Sequence, residues 1–137
     1  MKIAIINGPN LNLVGKRELE IYGKVGMDEY IDSLMNKYAN QEISYFQSNI
    51  EGELIDEIQA KGFTVDAIIL NAGGYSHTSV SIADAVKAVP CKVIEVHISN
   101  IFAREEYRKH SFLSAVCDGL ISGFGLKVYE LAVLSLK

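Results

Sequence analysis

The sequence predicts an α/β three-layer sandwich, in which a five-stranded parallel sheet carries helices on both faces. Three observations predict it. Strand-like and helix-like segments alternate from one end of the chain to the other, the strand-like runs are short and apolar, and the 137 residues suit one domain of this kind. Such alternation implies parallel strands joined by crossover helices, because a parallel neighbour is reached only through a long connection. Five strands at this length suit the flavodoxin-like strand order, and residues 1–137 are expected to form one domain.

Each element has its own signal. Lys2 to Asn7 encloses the run Ile3-Ala4-Ile5-Ile6, a buried strand. Met27, Tyr30, Ile31, Leu34, Met35 and Tyr38 recur at helical spacing. Ile43 to Gln47 is the second strand. Ser48 and Glu51 have capping-box spacing, and Leu54, Ile55 and Ile58 mark one face of the helix that would follow, ended by Gly62. Ala67 to Leu70 is a third strand, and Ile82, Ala85, Val86 and Val89 form a helical stripe stopped by Pro90. Val93 to Ile98 and Leu120 to Phe124 complete the strands. A short helical turn around Arg104 to Lys109 and a final helix over Leu126 to Leu136 complete the reading.

Bulk properties narrow the function classes. Lys plus Arg is 13 against 17 for Asp plus Glu, a formal net charge of −4, and no basic face or arm stands out. Nucleic acid is therefore not an expected partner. The apolar run after Lys2 is only four residues long, too short for a signal peptide or membrane span. Cys91 and Cys117 show neither metal-ligand nor redox spacing. The cytosol is the expected compartment, with no membrane partner.

In sheets of this order ligands bind beyond the carboxyl ends of the strands. There the sequence places Asn7-Gly8-Pro9-Asn10, Asn71-Ala72-Gly73-Gly74-Tyr75-Ser76-His77 and Glu95-Val96-His97-Ile98-Ser99-Asn100. Each stretch alone is ordinary turn chemistry; three on one edge, with two histidines, point to a site. Glu95 and His97, two apart on a strand, face the same way. A carboxylate beside an imidazole fixes its tautomer and favours its protonated form, which prepares a general acid. A structural ion pair closing the strand end would have the same spacing.

Residues 15–23 form a long connection bracketed by glycines, where about 2–6 residues is typical. Such segments are often lids. This one carries Arg17 and Tyr22. A phenol with a pKa near 10 is a poor base at neutral pH, but a neighbouring guanidinium stabilises its phenolate. The plain alternative is a surface loop with an unremarkable Arg and Tyr. Arg108 lies in a mixed-charge run that reads as a solvated face. His77, His97 and His110 lack ligand spacing, so no metal site is expected.

These residues also carry a resemblance. The combination N-G-P-N-L, N-A-G-G-x-x-H-T-S, E-V-H-I-S-N and A-R-E-E-Y-R-x-H-S resembles, in order and over essentially the whole chain, the type II 3-dehydroquinate dehydratases. The resemblance implies a flavodoxin-like subunit that removes water reversibly from 3-dehydroquinate without cofactor, metal or Schiff base. It implies Tyr22 as the base, Arg17 as the group that keeps it phenolate, and Asn10 as support for the enolate. His97 would be the acid, oriented by Glu95. Asn71, Ser99 and the Ile98 and Ser99 amides would hold the substrate carboxylate and a nearby hydroxyl, and His77 and Arg108 the ring hydroxyls. It further implies trimers assembled into a homododecamer, with Asp84 reaching a neighbouring subunit's site. Two positions depart from the family pattern: Leu19 stands where Pro is common, and Lys127-Val128 where Gly is frequent before Tyr129.

Oligomerisation also has a reading in the pattern itself. Asp84 lies about 200° round its helix from Ile82, away from its own core. The final helix is apolar around most of its circumference, whereas one sheet covers only one side. A merely solvated Asp84 and a slightly greasy helix end are the bland version. Two other functions compete with the enzyme. A flavin or nucleotide module would want a Gly-rich phosphate cradle after the first strand, and a phospho-acceptor regulator would want acidic residues where Asn7, Asn10 and Asn71 stand. A catalytically silent homologue would lack chemical groups that are all present here. A barrel-type dehydratase would need about 200 residues or more.

Overall fold

β1 (Lys2–Asn7) lies inside the sheet, between two parallel neighbours. In the computed structural model, which describes residues 1–16 and 25–137, these are β2 (Glu42–Gln47) and β3 (Ala67–Asn71). β4 (Lys92–His97) and β5 (Gly119–Ser122) extend the sheet on the far side of β3. The order is β2-β1-β3-β4-β5, all parallel. Among the described residues four α-helices accompany the strands: α1 (Met27–Lys37), α2 (Glu51–Gly62), α3 (Val80–Ala88) and α4 (Lys127–Ser135).

The period of two along each strand divides the core. Ile3 and Ile5 of β1, Ile69 of β3 and Ile94 and Val96 of β4 face α1 and α4, where Ile31, Leu34, Val128, Tyr129 and Val133 close over them. Ala4, Ile6, Ile68, Leu70 and Val93 face the other way, against Leu54 and Ile58 of α2 and Ile82 and Val86 of α3. Burial on both faces explains why these strands read as continuous apolar runs rather than alternations.

Two local expectations need correction. Ser48 does not close a capping box with Glu51. It stands two residues before the N-cap Ile50, accepts a hydrogen bond from the Ile50 amide at 3.0 Å, and donates its hydroxyl to Glu53. A side-chain cap belongs instead to Ser79, whose oxygen accepts from the Ile82 amide at 2.9 Å and starts α3. β5 is shorter than expected, ending at Ser122, and Phe124 beyond it is exposed. The short turn in the charged run is present at Glu106–Arg108. Gly62 has a packing reason as well: a Cβ there would meet the Val89 side chain at 2.3 Å.

α4 is less uniformly covered than its composition suggests. Val128, Tyr129, Ala132 and Val133 are buried, while Leu134 is exposed. No helix among the described residues is long and apolar enough to cross a membrane.

Candidate active site

The carboxyl ends of β1, β3 and β4 sit side by side, because these strands are consecutive in the sheet. Asn7 and Asn71 are register partners at that edge. The loops leaving the three strands enclose a cavity of about 180 Å³. Pro9, Asn10 and Leu11 line it from the first loop, Asn71, Gly73, Gly74 and His77 from the second, and His97, Ile98, Ser99 and Ile101 from the third. Arg104 and Arg108 complete the wall.

The approach of the first two loops explains the glycine of N-G-P-N. The Gly8 amide donates to the Asn71 carbonyl at 2.7 Å, and a Cβ at Gly8 would lie 2.5 Å from the Ala72 carbonyl oxygen. Any side chain there would force the two strand ends apart. Asn10 holds a left-handed conformation, φ 70°, and its amide donates to Asn49 Oδ1 at 3.0 Å.

Glu95 and His97 meet as their spacing predicts. His97 Nε2 lies 2.6 Å from Glu95 Oε2, and Glu95 is fully buried. Ser111 also donates to Oε2, at 2.6 Å, and Ser114 donates to Oε1 at 2.5 Å. Burial opposes the charge on Glu95, but the hydrogen bonds from His97, Ser111 and Ser114 outweigh it and hold the carboxyl below its ordinary value. With Nε2–H given to the carboxylate, Nδ1 is the ring nitrogen left to act on a ligand.

His77 is oriented by different means. Its Nδ1 donates to the His110 carbonyl at 2.7 Å, which leaves Nε2 as an acceptor in the neutral ring. Its ring stacks on that of His97, centroids 5.9 Å apart. Partial burial lowers its pKa, the His110 carbonyl opposes this, and the nearby His97 and Arg108 add to the lowering. Arg108 Nε donates to Glu105 at 2.7 Å, and Arg104 donates to the Ser99 hydroxyl at 3.3 Å. The two guanidiniums suit this wall to an anionic ligand.

Beneath the cavity runs a chain of buried and half-buried hydrogen bonds. Asn71 Nδ2 donates to the Tyr129 hydroxyl at 3.0 Å, Tyr129 donates to Asn7 Oδ1 at 2.8 Å, and Asn7 Nδ2 donates to the Tyr45 hydroxyl at 3.3 Å. Burial pushes the Tyr129 phenol far above its ordinary value, so it acts as a hydrogen-bonding strut. Asn71 Oδ1 accepts from the Gly73 amide at 3.2 Å, which fixes the amide's orientation and shapes the start of the second loop.

The structure thus gathers Asn10, Asn71, His77, His97, Ile98, Ser99 and Arg108 around one cavity, with Glu95 directly behind His97. Arg17 and Tyr22 lie outside the described residues. Asp84 is exposed on α3 and is not part of the cavity wall of its own chain. Sequence reasoning missed Arg104, Ser111, Ser114 and Tyr129. Arg104 had a signal, four residues before Arg108 in the charged run, whereas the others act through contacts that no local pattern announces.

Known proteins resemble the chain over essentially its whole length. The family profile described as Dehydroquinase class II matches residues 1–137. The chain is 51% identical over 138 residues to the 3-dehydroquinate dehydratase of Campylobacter jejuni, covering 99% of this chain and 87% of that one. It is 52% identical over 139 residues to the 3-dehydroquinate dehydratase of Caldicellulosiruptor bescii, covering 99% and 96%. The crystal structure of the type II dehydroquinase from Butyrivibrio crossotus superposes with a TM-score of 0.95 at 46% identity, covering 99% of this chain and 97% of that one.

Proposed function

The chain belongs to the class II dehydroquinase family, and from that premise we propose how its own residues divide the work. It is a hydro-lyase, a 3-dehydroquinate dehydratase of the shikimate pathway, which removes water from 3-dehydroquinate to give 3-dehydroshikimate. The hydroxyl that leaves is β to a ketone. It departs readily once a proton α to that ketone is gone, so the reaction needs a base, an enolate stabiliser and an acid.

Tyr22 is the base in this reading, kept as phenolate by Arg17. It takes the α proton, and the electron pair of the C–H bond moves into the enolate, which Asn10 supports through hydrogen bonding. As the enolate collapses the C–O bond breaks. His97 protonates the departing hydroxyl, and water leaves. The observation that carries the assignment of the acid is the 2.6 Å contact between His97 Nε2 and the buried Glu95 carboxylate, at the wall of the cavity. It supports an imidazole whose charge is stabilised on one nitrogen while the other delivers a proton.

Arg108, His77, Ser99, Asn71 and the Ile98 and Ser99 amides form the proposed binding set. Arg108 supplies positive charge, and His77 Nε2 accepts from a ring hydroxyl. Asn71 contributes from a side chain whose orientation Tyr129 and Gly73 have already set. We further place Asp84 at a neighbouring subunit's site, in trimers assembled as a homododecamer. Its exposure on α3 and the uncovered Leu134 of α4 support a partner surface. A cytosolic setting suits the two free cysteines.

The direct test is growth of the product's enone absorbance when 3-dehydroquinate is added to the purified protein. Turnover that His97→Ala lowers strongly is expected. A His97→Ala enzyme with normal turnover would remove His97 from the role of acid.

A further inference from the structure

We propose that Ser111 and Ser114 are positioning residues for the dehydration, and that residues 110–114 form a bracket orienting both imidazoles of the cavity. The proposal deepens the reading of His97 as the acid and rests on it.

Four contacts carry it. The His110 carbonyl accepts from His77 Nδ1 at 2.7 Å. Ser111 Oγ donates to Glu95 Oε2 at 2.6 Å, and Ser114 Oγ donates to Oε1 at 2.5 Å. The Phe112 amide donates to the Ser76 carbonyl at 2.8 Å, which pins the bracket to the loop that carries His77. Between them Leu113 is fully buried in the core on the α2 and α3 side and anchors the segment.

The direction of each proton follows. Ser111 Oγ accepts from the Leu113 amide at 3.1 Å, so its single hydroxyl proton is directed to Glu95. Glu95 therefore meets donors from both serines and has no use for a proton of its own. It remains a carboxylate and can only accept from His97. That places the shared proton on His97 Nε2 and leaves Nδ1 as the nitrogen that carries the transferable proton. Without the serines, the buried carboxylate would hold its charge poorly, and the proton between Glu95 and His97 would shift toward Glu95. The neutral imidazole would then carry its proton on Nδ1 in one state and on Nε2 in another. The titratable groups felt by this carboxylate are His97 and His77 on the cavity side and the Cys117 thiol, which burial and the nearby Glu95 and Asp118 push up to about 12.

The test pairs kinetics with nitrogen-15 spectra of the imidazoles, recorded on the full chain. In the unmodified protein the neutral His97 ring should show the Nε2–H tautomer and His77 the Nδ1–H tautomer. In Ser111→Ala and Ser114→Ala, kcat should fall about tenfold for each donor lost, the size of one hydrogen bond to a charged acceptor, with KM little changed. The acid limb of the kcat profile should move to higher pH, and the His97 shifts should move toward a tautomer mixture. Ser114→Thr keeps the hydroxyl at an exposed position and should restore both readouts. A double alanine variant with unchanged His97 shifts overturns the proposal, whether or not kcat falls. Should His97→Ala turn over normally, the reading of the acid fails, while the tautomer shifts still report on the bracket separately.

Discussion

His77 and His97 stand with their rings nearly parallel, planes inclined by 24° and centroids 5.9 Å apart. Two imidazoles this close disfavour a shared positive charge. The carboxylate lies on the side of His97, so His77 is the ring that stays neutral.

A titration of His77 should therefore have its midpoint below the ordinary value of 6.5. The sign for stability follows from linkage. A histidine whose folded pKa is lowered binds fewer protons folded than unfolded, so its contribution is present above 6.5 and is lost as pH falls through the folded value. Proton NMR of the ring checks this, and a midpoint above 6.5 would contradict it. His77→Ala should raise KM several-fold to about tenfold through one lost hydrogen bond, with a smaller effect on kcat.

His97→Ala should lower kcat by about 10²–10⁴, the usual contribution of a general acid. Tyr22→Phe should have an effect of similar size, and Arg17→Ala should follow it because the phenol then stays protonated. Circular dichroism should show the fold intact in all three. Near-normal turnover of Tyr22→Phe would remove it from the role of base.

Glu95→Gln places an amide where three donors converge, so one N–H must face another donor. We expect it to destabilise the protein by about 1–3 kcal/mol at neutral pH. The Glu95 carboxyl is held below 4.5, so its contribution is present above that value and is lost as pH falls through the folded pKa. Urea unfolding at several pH values should show the gap between the two proteins closing below about pH 4.5. A gap independent of pH would show that the lost stability has another source.

Tyr129→Phe removes the hydroxyl that joins Asn71 to Asn7 and leaves a buried amide donor and a buried carbonyl without it. A loss of about 1–3 kcal/mol is expected, together with a raised KM, because Asn71 is no longer held in one orientation. An unchanged KM would show that Gly73 alone suffices to orient Asn71.

Light scattering at assay concentrations should find an oligomer. Asp84→Ala should weaken substrate binding without disturbing the subunit's fold, since Asp84 is exposed on α3. A fully active monomer would refute the assembly, and normal binding by the variant would refute the role of Asp84.

The sheet was legible because β1 and β3 are apolar on both faces, and two helices have a stripe that a stop signal ends, at Gly62 and Pro90. The Glu95–His97 pair was legible because a period of two is local. Ser48 misled because capping-box spacing does not reveal where the helix begins. Ser111 and Ser114 were not legible because they reach Glu95 across 16 and 19 residues of chain. Arg104 was obscured by its neighbours, since a run of mixed charge reads as a solvated face until a strand end is seen beneath it.

The contact between Tyr129 and Asn7 spans 122 residues of sequence. Asn7 is made well before its partner. The floor of the cavity is thus completed only after α4 has left the ribosome, and a nascent chain lacking that helix has the loops without the Tyr129 link between Asn71 and Asn7. Contacts this distant in sequence form late and slow the search for the native state. Competence to bind should consequently appear last in refolding, after the central strands have paired.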